Sequence, residues 1–140
     1  MSTKKIKLTI ATPLREVYQN EIDQLTVTTL NGELTILPDH VPLVVPLQLG
    51  QVMVKNEGNE VYHAIDGGLL EVRHDNEVII LSNRAENASD IDIKRSEDAI
   101  ERAKEVMAQG TLNEDEYVEI ERNIQRGLNR VKLAQKGQRK

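Results

Sequence analysis

Apolar residues recur at every second position in the first part of the chain, as Ile6, Leu8 and Ile10 show. A period of two is typical of strands that have one buried and one hydrated face. Turn residues interrupt this pattern at short intervals. The predicted strands include residues 22–29, 34–37, 43–49, 51–55, 61–66, 69–73 and 77–81. Eight or more strands without an intervening helix predict an antiparallel β-sandwich or flattened barrel, which we assign to residues 1–86.

Three residues in this part mark expected boundaries of the strands. Pro46 has no backbone N–H to donate, so we expect it at an edge. Gly67 and Gly68 follow each other inside an apolar stretch. Such a pair predicts a bend or bulge at a place where a Cβ atom does not fit.

After residue 81 the apolar residues change to spacings of three and four, which are typical of amphipathic helices. Ser89 with Asp92 three residues later predicts a capping box at the start of a first helix. Gly110 predicts its end. Asn113 with Glu116 predicts the cap of a second helix.

Both predicted helices carry a narrow apolar stripe and are otherwise charged. The stripes are Ile93, Ser96, Ile100, Ala103 and Met107, then Tyr117, Ile120, Ile124, Leu128 and Val131. The helices can bury these stripes against each other as an antiparallel hairpin, which we assign to residues 87–140, or each against another surface. The hairpin contact would contribute only about a few kcal/mol at ~25 cal/mol per Å². Two arrangements of similar free energy are therefore plausible, as a switch requires.

Charge is unevenly distributed over the helical part. Residues 89–120 carry four basic and ten acidic side chains, whereas residues 121–140 carry seven basic and one acidic. Opposite charges favour placing these segments side by side. The basic end has no aromatic platform and the chain carries a net charge of −5, so nucleic acid is a poor partner and an acidic protein surface a better one.

Composition narrows the possibilities further. A chain of 140 residues without Phe, Trp or Cys must build its core from aliphatic side chains, and has neither disulfides nor thiolate metal sites. No apolar run approaches the ~20 residues of a membrane span. Residues 1–7 lack the apolar segment of a signal peptide. If the protein works at a membrane, we expect another subunit to hold it there.

Residues 38–42 form a rigid corner, since prolines stand at both ends. It contains Asp39 and His40, and Glu33 lies directly before the predicted strand that leads into it. One imidazole beside a carboxylate is weak evidence for catalysis or for zinc, which uses three or four ligands at set spacings. The remaining interpretations are a loop in which Asp39 accepts hydrogen bonds from nearby backbone N–H groups, and a contact with another protein.

A second group of charged residues lies in the hairpin. Asp92, Arg95 and Arg102 share one face of the first helix, and Arg126 and Arg130 lie one turn apart on the second. In an antiparallel hairpin the four guanidinium groups would converge, which favours a bound anion such as phosphate. The alternative is that these arginines pair at the surface with Glu86, Glu97, Asp98 and Glu101.

Two blocks of this sequence resemble the ε subunit of bacterial F-type ATP synthases. Residues 32–43 are similar to the pattern Gly-Glu-Leu-Gly-Ile-x-Pro-Gly-His-x-Pro-Leu, with Thr35 and Asp39 where glycine is usual. Residues 67–72 match Gly-Gly-x-Leu-Glu-Val. With the charged helical tail that follows, the resemblance extends over essentially the whole chain.

The resemblance implies a non-catalytic central-stalk subunit of a proton-translocating synthase. The sandwich would couple the γ subunit to the c-ring, and Glu33 and His40 would contact that ring. The C-terminal helices would inhibit ATP hydrolysis through the catalytic α and β subunits. The protein would then lie peripherally on the cytoplasmic side of the cell membrane, without a required cofactor or metal.

The resemblance also implies a regulatory ATP site. Residues 91–96 are similar to the family motif Ile/Leu-Asp-x-x-Arg-Ala, with Ser96 in place of alanine. The residues that would bind ATP are Glu86, Ile91, Asp92, Arg95, Arg102, Arg126 and Arg130. Because no glycine-rich loop precedes a Lys-Ser/Thr pair, bound nucleotide would be sensed and not hydrolysed. Two rival interpretations are a stand-alone nucleotide-responsive sensor and a small hydrolase using Asp39 and His40.

Overall fold

The structure is a computed structural model that describes residues 4–138. The ends of both predicted domains, Met1–Thr3 and Arg139–Lys140, lie outside the described residues. The described strands are β1 (Ile6–Ala11), β2 (Glu16–Ile22), β3 (Gln24–Thr29), β4 (Gly32–Ile36), β5 (Leu43–Asn56), β6 (Asn59–Val72), β7 (Glu77–Leu81) and β8 (Ala85–Asn87). Two helices follow, α1 (Ile93–Ala108) and α2 (Glu114–Gly137), and short 3-10 turns precede β7 and α1. The chain forms two compact units, the first ending at Asn87 and the second beginning at Ala88.

The strands of the first unit form a mixed sheet in the order β2-β1-β7-β6-β5-β3-β4, with β8 paired to β6. The predicted β-sandwich is confirmed, but one of its strand pairs is not antiparallel. β1 and β7 run parallel, with Lys7 opposite Glu77. Parallel neighbours need a long crossover connection, which the strands between β1 and β7 supply.

The core of the first unit is aliphatic, as the composition predicts. Its buried cluster consists of isoleucine, leucine and valine side chains from β1 to β7. Along β1, Ile6, Leu8 and Ile10 are at most 1% exposed, whereas Lys7 points into solvent. The alternation in the sequence therefore corresponds to the inner and outer faces of the strand.

Two strands are much longer than the sequence predicts. β5 and β6 each contain 14 residues and pair along their whole length, from Leu43 opposite Val72 to Asn56 opposite Asn59. The four predicted strands at 43–49, 51–55, 61–66 and 69–73 are therefore two. Conversely, the single strand predicted at 22–29 is divided at Asp23 between β2 and β3.

Gly67 and Gly68 bend β6 without breaking it. Both have positive φ, +70° and +122°, and Leu47 and Leu49 keep the same register on either side of them. A Cβ on Gly68 would overlap the backbone carbonyl oxygen of Leu81 and lie 2.8 Å from the Cα of Ser82. The prediction that a Cβ does not fit is confirmed at Gly68 and wrong at Gly67, where the atom nearest to an added Cβ is the Leu47 carbonyl oxygen at an ordinary 3.7 Å.

Pro46 lies where β5 loses one of its neighbours. It stands opposite Leu69 of β6 and directly precedes Leu47, the first residue of β5 that pairs with β3. Proline donates no hydrogen bond, so it fits a position with a partner on one side only. The expected edge is confirmed.

The start of α1 differs from the prediction. Asp92 is the N-cap, and its side chain accepts a hydrogen bond from the Arg95 N–H at 3.0 Å. Ser89 lies in the 3-10 turn Ala88–Asp90, so the capping box predicted from Ser89 is wrong. Both residue types cap helices well, and the helix begins at the later one. Gly110 follows the end of α1 with φ +69°, as predicted.

The capping box of α2 is confirmed. Asn113 accepts a hydrogen bond from the Glu116 N–H at 2.9 Å, and Glu116 accepts one from the Asn113 N–H at 3.1 Å. Neither of the two described helices is both long and apolar enough to span a membrane.

The two helices run antiparallel, as predicted. The Arg130 guanidinium donates to the Ser96 hydroxyl at 3.2 Å, and Gly127 lies against Ile100. At the end of α2, the Gln138 amide donates to the Ile91 carbonyl at 2.9 Å. The start of α1 therefore lies beside the end of α2.

The apolar stripe of α2 is only partly as predicted. Ile124 is buried, but Tyr117 and Leu128 are 45% and 46% exposed. Leu133 and Ala134, outside the predicted stripe, are buried instead. The predicted stripe of α1 contains the two buried residues of that helix, Ser96 and Ile100.

Candidate functional site

The proline-bracketed corner follows β4 directly. Asp39 has φ +67°, and the next N–H, that of His40, donates to the Leu37 carbonyl at 3.2 Å. The His40 ring places Nδ1 2.8 Å from the Val41 carbonyl oxygen. The imidazole is thus held by the backbone of its own loop.

The Asp39 carboxylate joins the corner to two distant segments. One oxygen lies 2.7 Å from Lys4 Nζ, and the other accepts a hydrogen bond from the Asn76 amide at 3.2 Å. These bonds to Lys4 and then to Asn76 lower the pKa of Asp39 below its ordinary value of 3.8. The prediction that Asp39 accepts from nearby backbone N–H groups is therefore corrected, because both oxygens accept from side chains.

Glu33 has a different environment from the corner. It is exposed on β4 and accepts a hydrogen bond from the Gln51 amide at 3.1 Å. About 10 Å of strand, at ~3.3 Å per residue, separates it from Ile36 at the end of β4. Glu33 and Asp39 therefore have different partners. Within residues 4–138, no three His, Asp or Glu side chains are grouped as a metal site requires.

The surface around the corner is partly apolar. Leu37 is 52% exposed and Val41 70%. Next to them, an open cavity of about 560 Å³ is lined by Pro42, Leu43, Val44, Glu71, Val72, Arg73 and His74. Arg73 lies 3.2 Å from Glu71 and 3.4 Å from Glu77, and these two carboxylates raise its pKa. A surface of apolar side chains rimmed by charges suits contact with another protein.

Six of the seven predicted ATP-binding residues belong to the second unit. Ile91 is 4% exposed, and Asp92 caps α1 through the backbone of Arg95. Arg95 and Arg102 are exposed on α1. Glu86 instead lies on β8 of the first unit, opposite Ala64 of β6.

The two predicted ATP-binding arginines of α2, Arg126 and Arg130, are half-buried. Arg126 donates to the Asn123 side chain at 2.6 Å. Arg130 donates to the Ser96 hydroxyl at 3.2 Å. The hydroxyl that distinguishes Ser96 from the alanine of the resembled motif thus contacts one of the predicted ATP ligands.

The alternative interpretation paired these arginines with surface carboxylates. Two of the carboxylates lie against lysines: Asp98 is 3.5 Å from Lys94, and Glu101 is 4.0 Å from Lys104. All four side chains are more than half exposed, so these pairs contribute little to stability.

The sequence did not identify the partners of the candidate residues. Lys4 and Asn76 lie 35 and 37 positions from Asp39, and Asn123 is a polar residue on a charged helix. The one available signal was at Asn76, since asparagine next to a strand is typical of turns with left-handed backbone.

Comparison with known proteins gives two family models that match in order. The model described as ATP synthase, Delta/Epsilon chain, beta-sandwich domain matches residues 5–88. The model described as ATP synthase, Delta/Epsilon chain, long alpha-helix domain matches residues 89–135.

Individual relatives are similar over nearly the whole chain. The ATP synthase epsilon chain of Caldanaerobacter subterraneus subsp. tengcongensis is 40% identical over 136 residues, which are 96% of this chain and 97% of the relative. The protein of the same name from Halalkalibacterium halodurans is 38% identical over 129 residues, or 92% and 96% of the two chains.

Among solved structures, the fold is similar to that of a chain in the cryo-EM structure of Euglena gracilis mitochondrial ATP synthase, which comprises OSCP, F1 and c-ring. The TM-score is 0.73 at 24% identity, over 89% of this chain and 78% of that chain. At this level of identity the similarity concerns the fold alone.

Proposed function

Because this chain belongs to the ATP synthase delta/epsilon chain family, we propose that it is a non-catalytic central-stalk subunit of a proton-translocating F-type ATP synthase. The observation that carries the proposal is the match of both family models, in order, to residues 5–88 and 89–135. Its place would be peripheral, on the cytoplasmic side of the cell membrane, held there by the membrane-embedded subunits.

The β-sandwich would couple the γ subunit to the c-ring. A coupling element must transmit torque without yielding, and the close-packed aliphatic core supports such stiffness. Glu33 and His40 would contact the ring. The exposed Leu37 and Val41 beside His40 support this role, since apolar side chains at a fixed corner favour a protein contact.

The helical unit would inhibit ATP hydrolysis by leaving its compact hairpin and extending towards the catalytic α and β subunits. Few side chains hold the hairpin together: Ser96 and Ile100 are the buried residues of α1, and Ile124, Leu133 and Ala134 those of α2. Burial of this extent contributes only about a few kcal/mol. An extended state is therefore within reach of modest binding energy from a partner.

ATP would bind to the compact hairpin and favour it. Arg130 already contacts α1 through Ser96, so an anion at this place would interact with both helices. Asp92, Arg95, Arg102 and Arg126 would complete the site, with Ile91 and Glu86 as further contacts. ATP shifts the equilibrium only by the difference in its affinity for the two states.

Removal of residues 89–140 tests the inhibitory role. We expect ATP hydrolysis by the assembled enzyme to rise several-fold, because a brake that engages through about 1–2 kcal/mol of binding energy is lost. The measurement is steady-state hydrolysis by the purified complex, with co-purification of the γ and c subunits as the control for assembly. Unchanged hydrolysis in a complete complex contradicts the inhibitory role. Failure of the full-length chain to co-purify favours a stand-alone sensor.

Replacement of both Arg126 and Arg130 by alanine tests the ATP site. We expect ATP affinity of the isolated chain to fall at least about tenfold, since a charge-assisted hydrogen bond contributes roughly 1.5 kcal/mol or more. Isothermal titration calorimetry with ATP measures this change. Arg122→Ala is the matched control, because Arg122 is an exposed arginine one turn earlier on α2. If the unaltered chain releases no heat with ATP, the nucleotide part of the proposal is wrong while the inhibitory part stands.

A further inference from the structure

Residues with left-handed backbone lie in two loops at the same end of the sandwich. Asp39 has φ +67°, and Asp75 and Asn76, which precede β7, have φ +63° and +60°. Residues with a Cβ rarely adopt this conformation and usually do so where surrounding contacts hold them. In the resembled family pattern, position 39 is usually glycine, which adopts positive φ freely but has no side chain to make contacts.

The contacts of Asp39 link these loops reciprocally. The Asn76 side chain accepts the Asp39 N–H at 2.5 Å and donates to the Asp39 carboxylate at 3.2 Å. Lys4, from the segment before β1, donates to the second carboxylate oxygen at 2.7 Å. We call Lys4, Asp39 and Asn76 the Asp39 clasp. Through it one side chain joins the end of β4 to the starts of β7 and β1.

The clasp acts on the residues that would face the c-ring. His40 follows Asp39 directly, and its N–H closes a turn onto Leu37 at 3.2 Å. Val41, 70% exposed, comes next. With Pro38 fixing φ on one side and the clasp on the other, the backbone of the corner has little freedom left.

We propose that Asp39 is a positioning residue, which holds the corner in the orientation that presents His40, Leu37 and Val41 to the c-ring. This proposal rests on the proposed function of the corner as the ring contact. The role assigned to Asp39 is to hold the backbone of the corner, because both oxygens of its carboxylate bond to side chains of this chain.

The clasp requires an ionised carboxylate. Lys4 faces it from the N-terminal segment and Asn76 from the turn before β7, and both bonds lower the pKa of Asp39 from 3.8. A carboxylate whose pKa is lower in the folded than in the unfolded state stabilises the fold fully at pH values above its unfolded pKa. That stabilisation is lost as the pH falls through the folded-state pKa. The clasp is therefore complete at neutral pH and opens only in acid. Since Lys4 and Asp39 are 59% and 58% exposed, salt weakens it.

The variant Asp39→Gly separates positioning from folding. Glycine tolerates the positive φ, so the fold should not be destabilised by backbone strain, but the bonds to Lys4 and from the Asn76 amide are lost. Asp75→Gly is the matched control, since Asp75 has the same backbone conformation, φ +63°, directly beside Asn76, while its own side chain is not one of the three that form the clasp. Asn76→Gly should act in the same direction as Asp39→Gly, and the effects of the two should be less than additive, because the bond from the Asn76 amide to the Asp39 carboxylate is lost in both.

Two measurements apply to these variants. In the isolated full-length chain, amide hydrogen exchange at His40 should rise at least tenfold in Asp39→Gly and stay unchanged in Asp75→Gly. In the assembled enzyme, ATP-driven proton pumping relative to hydrolysis should fall several-fold in Asp39→Gly and stay unchanged in Asp75→Gly. The unaltered chain should lose protection of His40 with added salt, whereas Asp39→Gly should not respond.

The outcomes are distinguishable. Unchanged exchange at His40 in Asp39→Gly overturns the proposal. So does faster exchange with unchanged pumping, when His40→Ala lowers pumping in the same assay. If His40→Ala also leaves pumping and ring retention unchanged, the ring contact itself is wrong, and the positioning role is overturned with it.

Discussion

Replacing Gly68 by alanine should destabilise the β-sandwich more than the same replacement at Gly67 or Gly32. Gly68 has φ +122°, and a Cβ there would overlap the Leu81 carbonyl oxygen and lie 2.8 Å from the Cα of Ser82. Both neighbours are backbone atoms, so no side-chain rotation relieves the contact. Backbone strain of about 1–3 kcal/mol adds to overpacking of about 1–3 kcal/mol or more. The total is a large part of the roughly 5–15 kcal/mol that stabilises a domain.

Thermal unfolding of the full-length chain, followed by calorimetry, measures this loss. At about 4–8 °C per kcal/mol for a domain of this size, Tm of the sandwich should fall by at least roughly 10 °C. Gly67→Ala is the neighbouring control: its φ is also positive, +70°, but its nearest contact is the Leu47 carbonyl oxygen at an ordinary 3.7 Å. Gly32→Ala measures the cost of a positive φ alone, because Gly32 has φ +107° and no atom lies within 4 Å of an added Cβ. Equal Tm values for all three variants would show that the close approach at Gly68 does not limit stability.

The same glycine shows how far the sequence predicts this fold. Alternation identified the buried face of β1, because side-chain burial follows strand geometry locally, and the glycine pair indicated the unusual backbone at Gly67 and Gly68. It did not reveal that β5 and β6 continue through their bends. Glycine ends a strand or bends it depending on the strand alongside, and that neighbour is far away in sequence.

The direction of the strands and the shortest strand could not be predicted from the sequence either. The parallel pairing of β1 with β7 is not visible in the sequence, since side chains alternate with a period of two in parallel and antiparallel strands alike. β8 has only three residues, too few for alternation to be recognised. It exists because Ala85 to Asn87 find unpaired positions on β6, opposite His63 to Ile65.

At the candidate sites, residue types were predictable and their partners were not. The prolines around Asp39 and His40 indicated a fixed corner, and φ and hydrogen bonds there agree. Lys4 and Asn76 could not be found, because a contact across 35 or 37 residues depends on the whole sheet. In the helices, the two apolar stripes predicted an antiparallel hairpin, but not that the side chains of Ser96 and Arg130 would bond to each other.

The prediction of the apolar stripe of α2 was partly wrong for a different reason. Counting apolar residues selected Leu128, which is 46% exposed. The residue that faces α1 is its neighbour Gly127, where an added Cβ would lie 2.8 Å from Cγ1 of Ile100. A glycine inside a helix costs about 1 kcal/mol relative to alanine. A close helix contact is a physical reason for that cost, and hydrophobicity counting does not detect it.

Replacing Gly127 by alanine should therefore open the hairpin. In the proposed extended state α2 keeps its helix at this position, so the gain in helix propensity is shared by both states and cancels in their equilibrium. The contact with Ile100, which is 7% exposed, is made in the compact state alone. Overpacking of about 1–3 kcal/mol shifts the equilibrium roughly 5- to 150-fold towards the extended state.

Spin labels measure the shift directly, because a chain without cysteine accepts a defined pair. Lys94→Cys and Lys132→Cys place the labels on exposed positions of α1 and α2. Gly127→Ala should lengthen the distance between them. Gln125→Ala, exposed on the same helix, changes propensity alone and should leave the distance unchanged. Ile100→Ala combined with Gly127→Ala should be less open than the single effects added together, because the overlapping atoms are gone.

The proposed function predicts two further effects of Gly127→Ala, one on ATP affinity and one on ATP hydrolysis. Since ATP would bind the compact state, its apparent affinity should fall in proportion to the lost compact fraction. Since the extended state would inhibit, hydrolysis by the assembled enzyme should decrease with Gly127→Ala, whereas removal of residues 89–140 increases it. An open hairpin with unchanged hydrolysis would separate the structural effect from the inhibition and contradict the inhibitory role. An unchanged label distance would show that Ile100 accommodates the added methyl group and that the contact at Gly127 does not set the equilibrium.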